Sequence, residues 1–107
     1  MSNAEIQNAF YTRIQLERKR QEEKHGDGEG TVRSMSFEQW LPILVEEVGE
    51  VATAIMDFGM ATRNHFFSGK GINSVAVVEH ELISELVQVA AVCMAMYEDI
   101  MTRKDIV

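Results

Sequence analysis

The sequence predicts an all-α protein, an antiparallel helical bundle completed by oligomerisation. Three observations carry this. Five of the seven glycines fall in two clusters, HGDGEG (25–30) and SGKG (68–71), which cut the chain into three long stretches. Each stretch repeats apolar residues at helical spacing. Part of the third stretch is apolar on every side. The 107 residues fit a single domain spanning positions 1–107.

The first helix is expected from about Ala4 to Lys24. Ile6, Phe10 and Ile14 lie four apart with Ala9 beside them, a narrow stripe. From Glu17 the segment becomes ERKRQEEKH and stops at Gly26, a usual helix terminator with cations in the last turn. This charge run reads either as a solvated face or as cations offered to an anionic ligand.

The second helix opens at MSFEQW. Ser36 and Gln39 have capping-box spacing, and Met35 and Trp40 stand at the two hydrophobic-staple positions. Pro42 removes one helical hydrogen bond, so a kink or a separate first turn is expected there. The helix then continues to about Arg63. Leu44, Val48, Val51, Ile55 and Phe58 form its expected core stripe.

The third helix starts near Asn73 or Ser74, either a plausible cap, and runs to about Arg103. Its stripe is Val78, Leu82, Leu86, Val89, Cys93, Met96 and Ile100. VAAVCMAM (89–96) is apolar all round, and a helix of that kind is buried on all sides. Three helices from so short a chain would not cover it, which implies a second subunit.

Composition excludes several classes of partner. A net charge of −7 argues against nucleic acid, which needs clustered Lys and Arg. No apolar run nears the ~20 residues of a membrane span, and the N-terminus carries no signal-peptide core. The lone Cys93 rules out a disulfide within the chain and fits a reducing compartment; it reads as a small core residue. The expected setting is cytoplasmic.

The acids ask for more than solubility. LVEEVGEV (44–51) places Glu46, Glu47 and Glu50 inside an apolar helix. At 100° per residue, Glu47 lies roughly 60° and Glu50 roughly 120° to one side of the expected stripe. Glu85 and Gln88 have the same offsets on the third helix, with Glu81 between them in angle. An antiparallel pairing therefore sets Glu47 and Glu50 across a groove from Glu85 and Gln88. Crowded carboxylates repel, and a hard divalent cation such as Mg²⁺ relieves that cost with oxygen ligands alone. The other reading is a solvated acidic flank.

These residues also resemble a family. EEVGE (46–50) reads as the EExxE motif of the MazG-like, all-α nucleoside triphosphate pyrophosphohydrolases. SELVQVAAV (84–92) stands where that family carries its second motif, ExxD, with Gln88 in place of Asp. ERKRQEEKHG (17–26), followed by Trp40, is similar to a subgroup found in phage and bacterial genomes. The resemblance covers Glu17 to about Ile100. It implies antiparallel helices assembled as homodimers or homotetramers, Mg²⁺ or Mn²⁺ held by both motifs, and hydrolysis of an NTP or dNTP to the monophosphate and pyrophosphate. Carried over, Glu47, Glu50 and Glu85 become metal ligands, and Glu46 or Glu50 orients the attacking water. Gln88 can still offer its carbonyl oxygen, but no charge and no base.

A triphosphate near these acids also needs cations. Arg18, Arg20, Lys24, His25, Arg63 and Lys70 are available; Lys70 lies in SGKG, too short for a P-loop. Two rival readings compete with this one. A di-iron carboxylate site needs Glu-x-x-His on two helices, and only Glu22 to His25 has that spacing. A catalytically degenerate relative, binding a partner or nucleotide without turnover, is the alternative that Gln88 keeps open.

Overall fold

A computed structural model describes residues 1–25, 36–64 and 72–106. Among these, the chain is helical almost throughout: α1 (Asn3–His25), a 3₁₀ turn (Phe37–Gln39), α2 (Trp40–Asn64) and α3 (Ile72–Ile106). No strand occurs among the described residues, and none of these helices is long and apolar enough to cross a membrane.

α1 starts in a reciprocal cap that the sequence reading passed over. The Glu5 N–H donates to Ser2 Oγ at 3.1 Å, and the Ser2 N–H donates to Glu5 Oε1 at 3.1 Å. This S-x-x-E arrangement satisfies donors that a helix start leaves open. The backbone and hydroxyl of Ser2 also hold the Glu5 carboxyl below its usual range.

The expected separate first turn before α2 is present. The Ser36 N–H donates to Gln39 Oε1 at 2.7 Å, and the Gln39 N–H returns to the Ser36 carbonyl at 3.1 Å. Pro42 is thereby the third residue of α2, where a missing N–H costs nothing because first-turn donors have no helical partner. Met35, the other half of the expected staple, lies outside the described residues. Trp40 instead drives its indole into the core, where it is 4% exposed.

α2 and α3 form an antiparallel hairpin, and α1 packs along another side of α3 without packing on α2. The hairpin core is Trp40, Val92 and Ala95, with Ile43, Leu44 and Met96 against it. Small residues (Ala54, Ala91, Ala95) line the seam, so the two backbones approach closely.

The expected stripes need correction. On α2, Val48 and Ile55 are each 52% exposed, while Trp40, Leu44, Glu47, Val51, Ala54 and Phe58 turn inward. On α3, Leu86, Cys93 and Ile100 are exposed, and Val87, Ala91, Val92, Ala95 and Asp99 are buried. Cys93 is thus not a core residue of this chain. On α1, Ile14 is buried but Ile6 and Phe10 are exposed. In each helix the apolar residues exceed one face, and the seam took the face carrying small residues and buried polar partners.

Candidate functional site: an acid groove between two helices

The α2–α3 register is set by pairs at its open end. Trp40 Nε1 donates to Asp99 Oδ2 at 2.9 Å, and Arg103 Nε donates to Asp99 Oδ1 at 2.7 Å. Ten residues on from Trp40 along α2 and fourteen back from Asp99 along α3, Glu50 meets Glu85. Carboxylate oxygens of Glu47, Glu50 and Glu85 all lie within 4.8 Å of one another. The helical angles of the EEVGE segment and of Glu85 thus produce this convergence.

The triad is electrostatically uncomfortable. Oε2 of Glu47 and Oε2 of Glu85 are buried with no hydrogen-bond partner. Burial, a hydrogen bond with Glu50, and the charges of Glu50, Glu47 and Glu81 push the Glu85 carboxyl up to about 7. Burial first, then the charges of Glu50, Glu46 and Glu17, raise Glu47 as well. Desolvated acceptors facing like charge carry a cost that a cation, or a proton, removes.

A groove of about 530 Å³ opens beside the triad, lined by Glu46, Glu50, Thr53, Asp57, Glu81 and Glu85, with Gly49 and Ala54 as its floor. A Cβ placed on Gly49 would meet nothing within 4 Å, so the floor is open there. No Lys or Arg lines this groove among the described residues. Asp57 was missed from the sequence, although Glu46, Glu50, Thr53 and Asp57 follow a 4-3-4 spacing that places them on one ridge. Glu17 on α1 adds the smallest of the charges that raise Glu47, and it stands outside both the triad and the groove lining.

The remaining expected residues fall in varied places. Glu46 lines the groove and stands outside the triad. Gln88, half-buried one turn beyond Glu85, donates through Nε2 to Ser84 Oγ at 3.4 Å. Arg18 is buried between α1 and α3, paired with Glu22 and with Glu98, the latter at 3.2 Å. That engagement binds α1 to α3. Arg20 is held by Glu17. Lys24, Arg63 and His80 are exposed. The side chain of His25, and Lys70 and His65 entirely, lie outside the described residues.

No protein-family profile matches this chain, and neither a curated protein nor a solved structure does.

Proposed function

We propose that this chain is a divalent-metal-dependent nucleoside triphosphate pyrophosphohydrolase of the MazG-like kind, releasing pyrophosphate from an NTP or dNTP. One observation carries the reading. Glu47, Glu50 and Glu85 converge from two antiparallel helices, and two of their oxygens are buried without partners. The sequence resemblance names the same three residues.

The donor set fits the metal. All three groups are carboxylates, and Mg²⁺ or Mn²⁺ favours oxygen ligands. Glu47, Glu50 and Glu85 would hold the ion, with Gln88 adding its carbonyl oxygen directly or through a water. When bound, the ion supplies charge neutralisation for the phosphates and polarises oxygen.

The chain's own groups do the rest. Glu46 lines the groove but is free of the triad, so its carboxylate can orient a water and accept its proton. Glu50 is the second group placed for that role. That water attacks the α-phosphorus in line, the bond from that phosphorus to the bridging oxygen breaks, and pyrophosphate leaves. The products are a nucleoside monophosphate and pyrophosphate. The activity would serve nucleotide-pool cleaning.

The exposed apolar side chains along α2 and α3 support a homodimer or homotetramer as the working form. Gln88, neutral where the family carries Asp, favours a second reading in which the same groove binds a nucleotide without turning it over. Pyrophosphate release across the common NTPs and dNTPs with Mg²⁺ tests the proposal. Release that Glu50→Gln removes is the expected result. No release from any of them, alongside nucleotide binding, would leave the second reading standing.

A further inference from the structure

The acid groove is lopsided about the triad. On α2 its lining runs from Glu46 and Glu50 through Thr53 to Asp57, and on α3 from Glu85 back to Glu81. Trp40 meets Asp99 and Glu50 meets Glu85, so the helices are antiparallel and both runs head the same way, toward the end of α2. By the helical rise, Thr53 stands about 4–5 Å and Asp57 about 10 Å along α2 from Glu50. The triad thus closes one end of the groove, and Asp57 marks the other.

This outer half presents acceptors alone among the described lining residues. Asp57 and Glu81 are exposed carboxylates, and both stand outside the close oxygen cluster of Glu47, Glu50 and Glu85. The Thr53 hydroxyl already donates its hydrogen to the Gly49 carbonyl at 3.2 Å, so only its lone pairs remain to offer. Gly49 and Ala54 bring no polar side chain. A ligand portion lying here must therefore supply the hydrogens.

We infer that the outer groove reads the nucleobase, and that Asp57 selects a base with adjacent N–H donors, guanine first. This rests on the pyrophosphohydrolase reading and gives that site a substrate class. With the α-phosphorus at the triad, the sugar comes to the level of Thr53 and the far edge of the base to that of Asp57. Guanine carries its N1–H and its N2 amino group side by side, a pair that matches the two oxygens of one carboxylate. Cytosine and adenine offer a single amino group. Uracil and thymine flank their one N–H with carbonyl oxygens, which a wall of acceptors repels.

Calorimetry in saturating Mn²⁺ with GMP, IMP and UMP tests this without turnover. The parent should bind GMP about tenfold more tightly than IMP, which differs from it only in lacking the N2 amino group, and UMP most weakly. Asp57→Ala should bring GMP and IMP to equal affinity and leave affinity for Mn²⁺ alone at the parental value. Asp57→Asn exchanges one acceptor for an amide donor, and should narrow the gap between GMP and UMP. Pyrophosphate release from the matching triphosphates should follow the same order in kcat/KM. Equal affinity for GMP and IMP in the parent, a ratio between them that survives Asp57→Ala, or no binding of GMP would each overturn the inference. A parent that binds the monophosphates in this order but releases no pyrophosphate would remove the enzymatic reading alone. One that hydrolyses all the triphosphates equally well would remove base selection alone.

Discussion

Trp40 and Asp99 meet across the α2–α3 seam, indole Nε1 to Oδ2 at 2.9 Å, and both are buried. Arg103 holds the same carboxylate through Nε and Nη2, and its guanidinium lies 3.9 Å from the centroid of the Phe37 ring. One carboxylate thus ties the 3₁₀ turn, the start of α2 and the end of α3 into one knot. This knot sets which residues of α2 face which of α3. Trp40→Phe removes the donor but keeps most of the apolar bulk. It should cost about 1–3 kcal/mol, the usual penalty for stranding a buried acceptor. Urea denaturation followed by circular dichroism measures it, and an unchanged midpoint would mean that Arg103 alone satisfies Asp99.

Metal should act on the folded state through the triad. Mn²⁺ at 100 times its dissociation constant should add about 2.7 kcal/mol of stability, seen as a rise in melting temperature. Glu50→Gln should lose most of this response, and without metal it should melt higher than the parent because one repelling charge is gone. If Glu50→Gln responds to Mn²⁺ as the parent does, the acids are a solvated flank.

Gln88 gives a graded test of the same site. Gln88→Asp should keep the fold and tighten Mn²⁺ binding, since a charged oxygen replaces a neutral one. Gln88→Leu should weaken binding and leave stability nearly unchanged. Calorimetry on the parent and the two variants decides it: three equal affinities place Gln88 outside the metal's reach.

The pH dependence of the metal-free protein follows from Glu85. Its carboxyl rises from the ordinary 4.5 to about 7 in the folded chain. Between those values the folded state holds a proton that the unfolded state has released. Stability from this group is therefore fully present below about pH 4.5 and declines as pH rises to about 7. The raised Glu47 carboxyl adds to the same slope. Melting temperatures in chelator should fall across this window, and Glu85→Gln should flatten the fall. Saturating Mn²⁺ should reverse its sign, because the metal requires the ionised carboxylates.

Assembly should follow the faces left uncovered. Leu41, Val45, Val48 and Ile55 on α2 are exposed, as are Ile83, Leu86, Tyr97 and Ile100 on α3. Light scattering at micromolar concentration should report a dimer or tetramer. Val48→Glu should lower the mass while keeping helical circular dichroism, since it buries an unpaired charge only in the assembly. Val92 would be the wrong probe, because it belongs to the chain's own core. A parent that runs as a folded monomer would end this expectation.

The sequence by itself determined three helices, the separate turn that the Ser36–Gln39 capping box makes ahead of α2, and the angular grouping of Glu47, Glu50 and Glu85. These follow from backbone geometry at 100° per residue and from residues that start or stop helices, all of which act locally. Only the tertiary structure decided which apolar face went inside. α2 carries two stripes of nearly equal quality, one through Trp40, Leu44, Val51, Ala54 and Phe58, the other through Leu41, Val45, Val48 and Ile55. Periodicity cannot rank them. The first won because Ala54 lets the backbones approach and because Trp40 finds Asp99 fifty-nine residues away. Buried charges were illegible for the same reason: Arg18 and Asp99 each have an i,i+4 partner on their own helix, Glu22 and Arg103, which a surface residue can have too, and only packing brings Glu98 to Arg18 and Trp40 to Asp99. A charge goes inside only when its polar atoms are met, and here the meeting is completed from another helix.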